Sequence, residues 1–169
     1  SFPITFDDDA NELLAHDPAL AIVPVQRLAM LVQLAQATGS TGMAGGQAID
    51  LDAVGQPLTL AGLEDMHARK TGALIRAAVA LGALCAPHID AARLAQLDAY
   101  ARAIGLAFQI TDDILDVEGD TATLGKPQGS DQKHAKPTYP ALLGLEHARA
   151  LAREQHAVAL ESLRFLGDN

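Results

Sequence analysis

Aromatic side chains are scarce: 169 residues include no tryptophan, two tyrosines and four phenylalanines. Sheets draw on aromatic and β-branched residues for cross-strand packing, so the shortage argues against a β fold. Alanine and leucine dominate instead, and both lose little entropy in a helix. There is one cysteine, Cys85, which excludes an intrachain disulfide and fits a cytoplasmic setting. It stands in Leu81-Gly82-Ala83-Leu84-Cys85-Ala86 and reads as a small buried residue rather than a nucleophile. Positive charge is also short. Twelve Lys and Arg against 21 Asp and Glu leave a formal net charge of -9, with no basic patch, which argues against broad nucleic-acid binding. No apolar run reaches the roughly 18–20 residues that a membrane span needs. No basic start leads into an apolar stretch of the signal-peptide kind.

What is present is helical periodicity. Pro24 suits a first turn, and Val25, Leu28, Leu31, Val32, Leu34 and Ala35 form an apolar face after it, with Gly39 as the expected cap. A second helical segment, about 41–51, carries Gly42, Gly45 and Gly46. Each glycine costs about 1 kcal/mol against alanine inside a helix, so three of them suggest close helix packing or close ligand approach. After a turn at Gly55-Gln56-Pro57, a long helix is predicted from the N-cap Thr59 to about Ala86, stopped by Pro87. Asp90 can cap the next, which runs to about Val117. Residues 119–136 read as a polar loop, and a last long helix spans about Thr138 to Leu166. Residues 1–23 show no clear domain start. With no strand-like alternation and no internal repeat, the fold class is all-α.

Polar stripes cross these apolar helices. Gln109, Asp112, Asp113 and Asp116 stand at i, i+3, i+4 and i+7, positions that share a helix face. The rest of that helix is apolar, which predicts burial nearly all round. Three carboxylates on one such face are costly to desolvate and repel one another, and divalent cations solve both problems. Magnesium suits the set, since it takes a few carboxylates together with waters and phosphates. A solvated helix end is the alternative, disfavoured by the helix dipole. His67, Lys70, Thr71 and Leu74 repeat the spacing. Lysine and threonine together suit a phosphate, although a lysine can also snorkel from a helix edge and a lone histidine is more often structural. Gln47 and Asp50 either complete a polar cavity or belong to a solvated helix end. Lys126, Lys133 and Lys136 either close over a magnesium-bound diphosphate or are surface charges. A metal cage, a cationic clamp and an apolar lining fit a ligand with a diphosphate head and a hydrocarbon tail.

The run Gly105-Leu106-Ala107-Phe108-Gln109-Ile110-Thr111-Asp112-Asp113-Ile114-Leu115-Asp116 resembles the second aspartate-rich motif of the trans-prenyl diphosphate synthases. Leu124-Gly125-Lys126, Lys136-Pro137-Thr138-Tyr139-Pro140, Gly45-Gly46-Gln47-Ala48-Ile49-Asp50-Leu51 and His67-Ala68-Arg69-Lys70-Thr71-Gly72-Ala73-Leu74 extend the likeness over about residues 25–169. It is nearest the bacterial branch that makes farnesyl diphosphate. The resemblance implies an isoprenoid synthase fold, a bundle of long antiparallel helices around a central cavity. It implies magnesium on Asp112 and Asp116, with Asp113 close by, bridging an allylic diphosphate. It implies that Lys70 and Lys126 hold that diphosphate, joined by Lys136, and that Thr71 and Gln109 lie beside the reactive carbon, with Gln47 lining the cavity. Isoprenoid diphosphate substrates and a homodimer are implied as well.

The family's first aspartate-rich motif and its paired arginines are missing. Asp7-Asp8-Asp9 has neither the spacing nor the arginines. Residues 1–169 are therefore expected to be the C-terminal part of a single synthase domain, incomplete at the N-terminal side. The alternative is a catalytically silent partner subunit of such an enzyme.

Overall fold

Pro24, Thr59 and Asp90 open helices where the sequence places them. Pro24 occupies a first-turn position, the Thr59 hydroxyl accepts the Gly62 N–H at 3.2 Å, and the Asp90 carboxylate accepts the Arg93 N–H at 2.7 Å. Each acceptor satisfies an N–H that the helix itself leaves without a partner. A computed structural model describes residues 6–19, 21–86, 89–122 and 137–167, with backbone only for 6–10 and 120–122. Its helices are α1 (Phe6–His16), α2 (Pro24–Thr38), α3 (Met43–Asp52), α4 (Leu60–His67), α5 (Ala73–Leu84), α6 (Ala91–Ala122), α7 (Tyr139–Leu143) and α8 (Leu145–Ser162). A π-helical turn, Ala68–Gly72, joins α4 to α5, and a short 3-10 turn, Arg164–Leu166, follows α8. Among the described residues there is no strand.

Contacts of the π-turn and α5 with α6 pair rising with falling residue numbers. Arg76 meets Asp98, and Thr71 meets Gln109. The two helices are therefore antiparallel. One apolar core joins α4, α6, α7 and α8 through Leu63, Met66, Ile110, Ile114, Tyr139 and Ala148. Full burial of a side chain such as Leu63 or Ile110 contributes about 1.5–3 kcal/mol. A second core joins α1 and α2 through Leu14, Met30 and Leu34, with Leu74, Leu81 and Leu84 of α5 against it. Arg27 fastens α1 to α2. Its guanidinium donates to the carbonyls of Leu14 at 3.2 Å, Asp17 at 2.7 Å and Ile22 at 3.1 Å, carbonyls at and beyond the end of α1 that lack helical partners.

Several expectations are corrected. Of the expected α2 face Leu34 is buried, together with Met30 and Ala37, while Val25, Leu28 and Val32 are exposed. That helix carries apolar residues on more than one face, and periodicity does not say which face is covered. Gly39 does cap α2 as expected, in extended backbone. The long helix predicted from Thr59 is interrupted by the π-turn. The predicted last helix is broken at Gly144, whose φ of 80° and ψ of 152° suit glycine almost alone. α6 runs past Val117 to Ala122 and is not buried all round, since Phe108, Leu115 and Val117 are exposed. Cys85 is exposed too, because it lies just beyond the end of α5 rather than within its packed turns.

Candidate active site

Three elements bring the polar stripes together. α3 supplies Asp50, the π-turn supplies Lys70 and Thr71, and α6 supplies Gln109 and Asp112. The Asp50 carboxylate is buried and accepts the Lys70 ammonium at 2.7 Å. The Thr71 hydroxyl donates to the Gln109 side-chain oxygen at 3.2 Å, and Gln109 is buried. These two bonds hold the lysine and the threonine from opposite neighbours, α3 and α6. π-turns within helices are rare and concentrate at functional positions.

His67 is buried at the end of α4, just before the turn. Its ring stacks on Tyr139 of α7, with centroids 5.7 Å apart and planes 20° apart. Burial holds its pKa below the ordinary value, and the Lys70 charge pushes the same way. Gln109, Asp50 and Asp112 oppose the shift without reversing it. Those influences bring Lys70, Asp50 and Asp112 into one electrostatic neighbourhood around a neutral imidazole. The Gln109 side chain lies close enough to favour the protonated ring, but neither ring nitrogen makes a hydrogen bond of normal geometry. The buried Tyr139 hydroxyl is raised in pKa, chiefly by burial and then by Glu64 and Asp113.

The acids on α6 divide. Asp112 and Asp116, one turn apart, are exposed, and Asp113 is half-buried. Asp113 accepts the Tyr139 N–H at 2.8 Å, at the start of α7, where a carboxylate is favoured by the free N–H groups and the dipole. The expected burial of the acidic face is thus corrected: α6 packs on α7 and α8 along Ile110, Ile114 and Asp113, leaving Asp112 and Asp116 in solvent. Among the described residues no three His, Cys, Asp or Glu side chains converge to hold a metal ion. The donor set still fits magnesium. Two exposed carboxylates at i and i+4 supply the one or two oxygens it takes from protein, and leave room for water and phosphate oxygens.

Gln47 is exposed on α3. Lys126, Lys133 and Lys136 lie outside the described residues. A cleft of about 270 Å³ between α4, α5 and α6 is lined by Glu64, His67, Gly72, Arg76, Arg102 and Leu106. It shares His67 with the polar cluster but is not lined by Lys70, Thr71 or the acids. Sequence reasoning did not assign Tyr139, whose burial beneath His67 has no periodic signal, or the pairing of Asp50 with Lys70 across 20 residues.

The chain is 53% identical over 168 residues to the farnesyl diphosphate synthase of Escherichia coli strain K12, covering 99% of this chain and 53% of that protein. An apo crystal structure of an FPP/GFPP synthase from Zymomonas mobilis matches with a TM-score of 0.79 and 37% identity, covering 92% of this chain and 51% of that one. A crystal structure of a geranyltransferase from Helicobacter pylori complexed with magnesium and isoprenyl diphosphate matches with a TM-score of 0.77 and 32% identity, covering 94% and 50%. The chain thus spans about half the length of these relatives. Residues 12–164 match the polyprenyl synthetase family model, and with the helical fold and the polar cluster in hand the conclusion is that this chain belongs to the polyprenyl synthetase family.

Proposed function

We propose that the complete protein is a trans-prenyltransferase. It condenses an allylic diphosphate, dimethylallyl or geranyl, with isopentenyl diphosphate to make a short-chain prenyl diphosphate, farnesyl diphosphate. The chain is read as the C-terminal part of one synthase domain, which works as a cytoplasmic homodimer. The observation that carries the reading is the meeting of Lys70, Thr71, Gln109 and Asp112 from separate elements around one buried histidine. The magnesium and isoprenyl diphosphate bound by the Helicobacter pylori relative support the same ligand class here.

In this reading the allylic carbon–oxygen bond breaks and its electron pair leaves with the diphosphate. The isopentenyl double bond attacks the allylic cation, and a proton is lost. Asp112 and Asp116, with Asp113 close by, would hold magnesium, which would supply neutralising charge to the leaving diphosphate. Lys70, aimed by Asp50, adds a fixed positive charge on the same group, and preorganised charge of this kind is worth more in a site that excludes water. Thr71 and Gln109 present oxygen dipoles toward the allylic carbon, where positive charge develops. Lys126 and Lys136 supply further cationic contacts to the diphosphate, and Gln47 lines the pocket.

Incubating the complete protein with geranyl diphosphate, isopentenyl diphosphate and magnesium, followed by product analysis, tests the reading. Farnesyl diphosphate formed only with magnesium is the expected result. Magnesium-dependent protection against melting by a diphosphate, with no turnover, would identify a silent partner subunit instead. Neither turnover nor protection would sink both readings.

A further inference from the structure

α3 meets the π-turn main chain to main chain at Gly46. A Cβ placed at Gly46 would stand 2.2 Å from the Lys70 nitrogen, 2.6 Å from its Cα and 2.8 Å from its Cβ. The two nearest atoms belong to the backbone, so no rotamer change relieves the overlap. Either α3 or the turn has to move by roughly an ångström before ordinary contact is restored. Asp50 lies four residues on, one turn along α3, and receives the ammonium of the same Lys70 at 2.7 Å. Lys70 is thus held by α3 twice, at its main chain by Gly46 and at its charged end by Asp50. Gly42 and Gly45 have a different task. Their Cβ positions fall on the main chain of Ala37 and Ser40, at the connection from α2, and not on the site.

From this contact we propose that Gly46 is a positioning residue for the prenyl-transfer reaction. It acts through Lys70, and its missing side chain sets where the π-turn presents Lys70 and Thr71 to the acids of α6. The inference deepens the functional reading above and rests on it. A π-turn is an irregular element that persists only where its surroundings over-determine it. Here α3 fixes the turn at Gly46 and Asp50, and α6 fixes it at Gln109. Displacing reacting groups by about 1 Å can lower turnover about 10²-fold.

Three variants of the complete protein test this: Gly46→Ala, Lys70→Ala and the double variant, with Gly82→Ala as control, since a Cβ at Gly82 meets nothing within 4 Å. Gly46→Ala should fold with unchanged helix content and lose about 10²-fold in kcat, while the KM for isopentenyl diphosphate stays within about threefold. In the Lys70→Ala background the same change should lower kcat by no more than about threefold, because residues acting as a unit do not add. Hydrogen exchange across residues 68–72 should quicken in Gly46→Ala and not in Gly82→Ala. Wild-type kcat in Gly46→Ala, fully multiplicative losses in the double variant, or failure of Gly46→Ala to fold would each overturn the proposal while wild-type turnover keeps the functional reading intact. No turnover in the wild type would overturn both.

Discussion

His67 illustrates how one buried side chain links stability to pH. Burial keeps its folded-state pKa below the ordinary value of 6.5. Between those two values the unfolded chain holds more protons than the folded one, so stability falls as pH drops below about 6.5 and is fully present above it. The slope for one such group is at most about 1.4 kcal/mol per pH unit. Denaturant unfolding at pH 7.5 and 5.5 should show this loss, and His67→Phe, which keeps a ring against Tyr139, should reduce it. An unchanged pH dependence in that variant would remove His67 from the account. Asp112→Ala and Lys70→Ala each remove a charge placed for the diphosphate, and each should lower kcat/KM in the complete protein by about 10²–10³-fold. Undiminished activity in Asp112→Ala would take that carboxylate out of the mechanism.

At the scale of elements, α6 is the organiser. Its 32 residues carry Asp98 at one end, Gln109 and Asp112 midway, and Glu118 beyond them. Arg76 of α5 pairs with Asp98 at 2.7 Å, and Arg149 of α8 pairs with Glu118, so neighbours are tied to it on both sides of the site. These pairs are partly exposed and worth little singly. Packing along Ile110 and Ile114 does more. Two glycines, one at a helical break and one inside a helix, give opposite predictions for alanine. Gly144→Ala should destabilise by about 1–3 kcal/mol, because its positive φ with extended ψ is nearly exclusive to glycine. Gly82→Ala, at an exposed position inside α5, should stabilise by up to about 1 kcal/mol. Thermal unfolding of the two variants beside the parent checks the pair. Equal midpoints would contradict the backbone account of Gly144.

At the scale of the whole molecule, the site stands where the core of α4, α6, α7 and α8 meets α3. Its charged groups come from elements held apart by packing rather than by one another. Ligand binding should therefore add to stability without reorganising the cores. Magnesium with inorganic diphosphate at about a hundredfold excess over Kd should raise the unfolding free energy by about 2.7 kcal/mol. Chelating the metal should abolish most of that gain, since Asp112 and Asp116 alone repel the anion. A diphosphate shift of equal size with and without the metal would argue against a shared site.

Local chemistry was enough to read the caps at Thr59 and Asp90, the proline start of α2, the helical class, and the stripes carrying Lys70, Thr71, Gln109 and Asp112. All of these depend on spacings within one or two turns, which sequence order dictates. Tertiary structure decided the rest. It turned Asp113 toward Tyr139 while leaving Asp112 and Asp116 in solvent, joined Lys70 to Asp50, buried Met30 and Ala37 beside Leu34 while leaving Val25 and Leu28 exposed, and put the π-turn under Lys70. A helical period ranks the faces of a helix by polarity, but it does not carry the distance to a neighbouring backbone. That distance is set by packing between segments far apart in the chain, and at Gly46 it leaves no room for a single methyl group.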